Sequence, residues 1–232
     1  MSFAVVGEGK TDHIVLRNLL VGFTGNKNLI VTRPLPEGDE PVGWGNLFNF
    51  LASDRFRKIF DFEGHVIVQI DTGTCEDWDE NLKHIGTDTE QIGDFIENIK
   101  KVLIKKMGEG FYDEQKDRIL FAICVHDIEC WLLPFNSTLP SHHAKLVGCL
   151  NTLEHILNPK GISLHQKNYK EGKHYDDLSK LMKNRKDLTK KAALNASLKI
   201  FIDDLLKVFP SVEVSPSDGP ETSSSEIKTE SE

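Results

Sequence analysis

Phe3-Ala4-Val5-Val6-Gly7-Glu8-Gly9-Lys10-Thr11-Asp12 is the stretch whose reading decides the fold. Four consecutive apolar residues suit a short buried strand, and Gly-Glu-Gly has the composition of a tight turn. Past the turn, Ile14, Val15, Leu16, Leu19, Leu20 and Phe23 recur at helical intervals, with Thr11 or Asp12 as the expected N-cap and Gly25-Asn26 as the stop. A strand, a turn and a helix in this order make the first unit of an α/β sheet. Ligands of open α/β sheets bind in the crevice beyond the carboxyl ends of the strands, which makes Glu8 a site candidate. A tight turn carrying a solvated acid is its simpler account.

Downstream the pattern repeats. Leu29 to Thr32 is a short β-rich run closed by Pro34, Pro36 and Gly38, and residues 43 to 60 carry apolar side chains at helical spacing. His65 to Ile70 is the strongest strand, with Asp71 directly after it. Residues 88 to 107 predict another helix, and Ile119 to Val125 a fourth strand, apolar throughout as expected when both faces of a parallel sheet are covered. The predicted fold class is therefore α/β, a mostly parallel, Rossmann-like sheet flanked by helices. From about Ser141 only helical periodicity remains, over roughly 142 to 157, 174 to 184 and 188 to 208, which predicts an α-helical C-terminal extension. The expected organisation is an α/β domain over 1–137, the helical extension over 138–210 and a disordered acidic tail over 211–232, too poor in apolar groups to offset chain entropy.

Composition narrows the function classes. The chain has 232 residues, 39% hydrophobic and 28% charged, enough for one sizeable core. No apolar run has the length of a membrane span, and the N-terminus lacks the pattern of a secretory signal, so the expected location is cytoplasmic with no membrane partner. Cys75, Cys124, Cys130 and Cys149 form no C-x-x-C pair and read as reduced, mostly buried thiols. The net charge of -8 is uneven: residues 159 to 210 carry about +6, and the rest is acidic. Lys183, Arg185, Lys186, Lys190 and Lys191, with Lys167, Lys170 and Lys173 beside Tyr169 upstream, form a candidate surface for a phosphate backbone. A solvated helix face is the plainer reading of such a run. Neither G-x-G-x-x-G nor G-x-x-x-x-G-K-[ST] is present, which disfavours nucleotide hydrolysis by a P-loop.

Three of the four predicted strands end in acids: Glu8, Asp71, and Asp127 with Glu129. Parallel strands bring such ends to one edge, where converging carboxylates repel unless a cation neutralises them, and Mg²⁺ or Mn²⁺ takes oxygen ligands of this kind. Strand-end acids also serve to cap the helices that follow. Glu76, Asp77 and Asp79 stand in the loop after Asp71 as further candidates. His13 and His126 lie close enough in sequence to the acids to move a proton or to be structural, and His142-His143 is poorly spaced for joint ligation.

Val-Val-Gly-Glu-Gly-Lys-Thr-Asp with the strand-end Asp71 resembles the Toprim fold of topoisomerases and primases. In that family a Glu after the first strand and an Asp-x-Asp after the third hold Mg²⁺ for phosphodiester chemistry. Here Glu8 matches the Glu motif and Asp71 the first Asp, while Gly73 stands where the second Asp belongs. His-Asp-Ile-Glu-Cys-Trp-Leu-Leu (126 to 133) and Asn-Ala-Ser-Leu-Lys-Ile-Phe (195 to 201) resemble segments of small stand-alone Toprim-like proteins related to the overcoming-lysogenization-defect nucleases of anti-phage defence. The resemblance implies a Mg²⁺-dependent (or Mn²⁺-dependent) nuclease acting on DNA or RNA as the effector of a bacterial defence system. The implied catalytic set is Glu8, Asp71, Glu129 and Lys10, with Glu8, Asp71, Glu76, Asp127 and Glu129 as the metal-ligand pool. Restraint of such an activity implies a regulatory ATPase partner or a homo-oligomer. The alternative is a non-catalytic binding or regulatory subunit with a degraded metal site, for which Gly73 is the main support.

Overall fold

The computed structural model describes residues 2–35, 37, 42–86, 90–164 and 171–210. The acidic tail and Lys167, Tyr169 and Lys170 of the predicted basic surface lie outside the described residues. Strands β1 (Phe3–Val6), β2 (Val31–Leu35), β3 (His65–Asp71) and β4 (Ile119–Cys124) form one all-parallel sheet in the order β2-β1-β3-β4. The predicted α/β class is the observed one. Helix α1 (Lys10–Thr24) links β1 to β2; α2 (Gly43–Leu51) and α3 (Asp54–Lys58) lead to β3; α4 (Ile92–Met107) and α5 (Glu109–Gln115) lead to β4. The last third is helical: α6 (Glu129–Asn136), α7 (Pro140–His143), α8 (Cys149–Leu157), α9 (Glu171–Leu178), α10 (Arg185–Ala192) and α11 (Ala196–Val208). No helix among the described residues is long and apolar enough to cross a membrane.

Side-chain alternation along the strands divides the core in two. Phe3, Val5, Ile67, Leu120, Ala122 and Cys124 face α1 and the C-terminal helices, whereas Ala4, Val6, Val66, Val68, Ile70 and Phe121 face α2, α3 and α4. The helices after residue 138 thus cover one face of the sheet, sharing its apolar cluster with α1. Their seam is tight: a Cβ placed on Gly22 of α1 would stand 1.8 Å from the carbonyl oxygen of Met182. Within this cluster the Trp131 and Phe201 rings stack at 5.5 Å, and the Trp131 indole donates to Ser197 Oγ at 2.8 Å.

Several boundaries differ from the periodicity. The helix expected over 43 to 60 breaks at Ala52-Ser53, where the Ser53 hydroxyl accepts the Phe56 N–H and caps α3. Apolar spacing continues through the break because both helices face one core. The first helix is capped by extended Gly9 and starts at Lys10, so neither Thr11 nor Asp12 is its N-cap. The segment read as one helix over 188 to 208 is two, because the Asn195 side chain accepts the Leu198 N–H and starts α11 afresh.

The cysteine reading is half corrected. Cys75 and Cys124 are free and buried, but Cys130 and Cys149 are joined by a disulfide, with Cα atoms 5.0 Å apart. The two residues sit in the first turns of α6 and α8, which pack side by side. Spacing motifs carry no trace of a pairing made by helix packing.

Candidate functional site

The strand order sets the site. The chain leaves β1 toward β2 on one side and later returns to β3 on the other, which makes the gap between the carboxyl ends of β1 and β3 a topological switch point. Glu8 follows β1 and Asp71 ends β3, so the two acids flank this gap. They are joined directly, the Asp71 N–H donating to Glu8 Oε1 at 3.3 Å.

Gln69 ties them a second time. Fully buried, its side-chain oxygen accepts the Glu8 N–H at 3.3 Å and its amide nitrogen donates to Asp71 Oδ1 at 2.9 Å. A Cβ at Gly7 would stand 2.6 Å from the same Gln69 oxygen, so the residue before Glu8 has no room for a side chain. The glycine at this position is thus favoured by the neighbouring strand's Gln69 side chain.

The second strand junction brings in Asp127 and Glu129. Past the ends of β3 and β4 the two chains stay paired: Thr72 N–H donates to the Cys124 carbonyl at 3.1 Å, Gly73 N–H to the His126 carbonyl at 3.0 Å, and His126 N–H to Thr72 Oγ1 at 2.8 Å. His126 is the one non-glycine residue among those described with positive φ, at 64°, a conformation that costs energy in a residue with a Cβ and marks an over-determined turn. Cys130 N–H to the Asp127 carbonyl at 3.0 Å closes the turn into α6. As a result carboxylate oxygens of Asp71, Asp127 and Glu129 lie within 4.8 Å of one another. A Cβ on Gly73 would lie 3.4 Å from Asp127 Oδ1. The space beside Gly73, where an Asp-x-Asp pattern expects its second acid, is thus bordered by a carboxylate from the turn after β4.

Two further groups were not singled out from sequence as members of this edge. Buried Asp12 of α1 raises the proton affinity of Asp71 through its charge, and Tyr175 of α9 donates its hydroxyl to Glu129 Oε1. A Gln inside the apolar run His-Val-Ile-Val-Gln-Ile is a sequence signal for a buried polar partner. Tyr175 carries no such signal.

The electrostatics follow from burial and like charge. Burial pushes the Glu8 carboxyl up to about 7, against the pull of the Asp71 N–H. Asp71 is raised well above the usual carboxylate range, first by burial and then by Asp12, Glu129, Glu8 and Asp127. Asp127 is raised by burial, partly offset by His126 and His84. The His84 and His126 rings stack at 4.5 Å, and His84 Nε2 lies 3.1 Å from the Gly73 carbonyl oxygen. Such a cluster favours bound protons, or a cation that replaces them. An all-oxygen donor set fits a hard divalent ion and not a thiolate-preferring one.

The other predicted residues fall elsewhere. Glu76 is exposed and accepts the His84 N–H at 3.2 Å, outside the three-carboxylate group. Lys10 opens α1, and its Cε is 3.7 Å from a Cβ position on Gly172 of α9. Lys183 pairs with Asp176 at 3.0 Å, which Arg17 also contacts at 3.1 Å, and Lys191 stands over the Phe135 ring at 5.6 Å. Arg185 is half-buried, while Lys186 and Lys190 are exposed. His142 and His143 both bond to Ser137. No protein-family model, curated protein or solved structure matches the chain.

Proposed function

We propose that the carboxyl edge of this sheet is a divalent-cation centre and that the protein is a Mg²⁺-dependent or Mn²⁺-dependent nuclease of the Toprim type. The reading is carried by one observation: Glu8 and Asp71 flank the switch point, and the carboxylates of Asp71, Asp127 and Glu129 converge beside it. Asp71, Asp127 and Glu129 would hold the ion, with Glu8 beside them, and the bound ion would supply Lewis-acid polarisation of a phosphoryl oxygen. Gln69 orients Glu8 and Asp71, and the Tyr175 hydroxyl fixes one oxygen of Glu129. Lys10 at the head of α1 offers a positive charge to a phosphate, and the exposed Lys186 and Lys190 offer backbone contacts to a nucleic acid. In the cell this reading makes the chain a cytoplasmic defence effector restrained by an ATPase partner or by self-association.

The test is calorimetric titration of Mn²⁺ into wild type, Glu8→Ala and Asp71→Ala, followed by incubation of each with plasmid and total RNA. Metal binding lost in both variants and cleavage by wild type alone is the expected result. Absence of Mn²⁺ affinity at millimolar ion with nucleic acid present refutes the reading. Binding without cleavage of either substrate favours the non-catalytic subunit instead.

A further inference from the structure

The disulfide lies next to the acids and joins α6 to α8, whose buried side chains share one core cluster. Cys130 follows Glu129 directly, and its N–H closes the turn from Asp127, so both acids belong to the turn that Cys130 anchors. Its partner Cys149 begins α8, 19 residues on. Between Asn136 and Gly148 the only buried side chain is Leu146, so the segment that links α6 to α8 is itself sparsely anchored. Asn195 Nδ2, at 3.4 Å from the Cys130 carbonyl and 3.5 Å from that of Lys145, is a further tie across this junction.

We propose that the Cys130–Cys149 bridge is a reversible redox latch on the acidic site: closed, it holds the Asp127–Cys130 turn for cation binding; open, it releases that turn. The reductant is a dithiol. One of its thiolates attacks Cys149 Sγ, the Cys130 Sγ leaves as a thiolate and takes a proton, and the second reductant thiol displaces Cys149 Sγ from the mixed disulfide. Two protein thiols and one cyclic disulfide result, with two electrons and two protons transferred. A small disulfide such as oxidised glutathione reverses the exchange. Both cysteines are buried, so exchange proceeds through opening of the sparsely anchored 137–148 segment. The cation readout of this latch rests on the proposed metal centre; its structural readout does not.

The experiment compares the full chain treated with oxidised glutathione against the chain reduced with dithiothreitol and desalted without air. Alkylation under denaturing conditions with intact-mass detection is expected to count two reactive cysteines, Cys75 and Cys124, in the first form and four in the second. Reduction is expected to speed hydrogen exchange over 127–136 at least tenfold, to lower the Tm by about 5–10 °C, and to weaken Mn²⁺ binding by about tenfold, the size of other losses of ligand support. Cys149→Ser should behave as the reduced form and ignore glutathione, while Cys75→Ser should keep the full response. Four alkylated cysteines after glutathione treatment overturn the latch, as does a bridge whose reduction leaves exchange and Mn²⁺ affinity unchanged. If neither form binds Mn²⁺, the metal centre fails, and hydrogen exchange in the turn alone decides the latch.

Discussion

Replacing Glu8 by Gln is expected to make the cation-free protein more stable at alkaline pH while removing cation affinity. Burial raises the Glu8 carboxyl from 4.5 to about 7, so the folded chain holds this proton more tightly than the unfolded chain does. Its favourable contribution is complete below pH 4.5, is lost as the pH rises toward 7, and above 7 leaves a constant penalty for a buried charge. Each tenfold in proton affinity is worth about 1.4 kcal/mol, which puts that penalty at about 3 kcal/mol, and solvent reaching the half-buried carboxyl reduces it to about 1–3 kcal/mol. Glutamine keeps an oxygen for the Asp71 N–H and cannot ionise, so it removes the penalty and relieves Asp71 of one neighbouring charge. Urea denaturation at pH 8.5 should therefore show Glu8→Gln stabilised by about 1–3 kcal/mol, or roughly 3–10 °C in Tm, and the difference should shrink toward zero at pH 4.5. Mn²⁺ at a hundredfold excess over its Kd should raise wild type by about 2.7 kcal/mol and leave the variant unmoved, narrowing or inverting the order. A variant less stable than wild type at pH 8.5, or a difference that does not change with pH, refutes the electrostatic reasoning.

Gln69→Leu strips Glu8 and Asp71 of their shared amide; Mn²⁺ affinity should fall tenfold or more by calorimetry, with a stability loss of about 1–3 kcal/mol from the groups left unpaired. Gly22→Ala forces α1 away from the Met182 carbonyl and should cost about 3 kcal/mol or more in chemical denaturation, and an unchanged midpoint would contradict the packing described. Asn195→Ala removes the cap of α11 and the side-chain bonds to Ser197 and Cys130, for an expected loss of about 2–3 kcal/mol read by urea midpoint.

What sequence reading reaches is decided by how local each cause is. The strands and the acids at their ends are legible because alternation, Gly-Glu-Gly and Asp71 sit within a few residues of one another, and parallel pairing alone brings Glu8 and Asp71 to one edge. Helix breaks at Ser53 and Asn195 are less legible, since a side-chain cap interrupts the backbone without interrupting the apolar spacing. Gln69 stands out only as a polar residue inside an apolar strand, and its two partners lie on other parts of the edge. Tyr175 and the Cys130–Cys149 bridge depend on which helices pack against α6, a tertiary outcome that no spacing records. The Asn-Ala-Ser run at 195 to 197 serves to cap α11 and hold it to α6, so a segment that looked like part of a family signature has a structural use.

Tyr175 stands 46 residues after Glu129, and this separation imposes an order of events during synthesis. A chain emerging from the ribosome exposes Glu8, Asp71, Asp127 and Glu129 before the residue whose hydroxyl orients Glu129. The acidic edge is therefore left unfinished until the helices of the last third arrive and close over that face of the sheet. Whatever chemistry the edge supports begins only when translation of the helical third is nearly done, a delay written into the order of the chain.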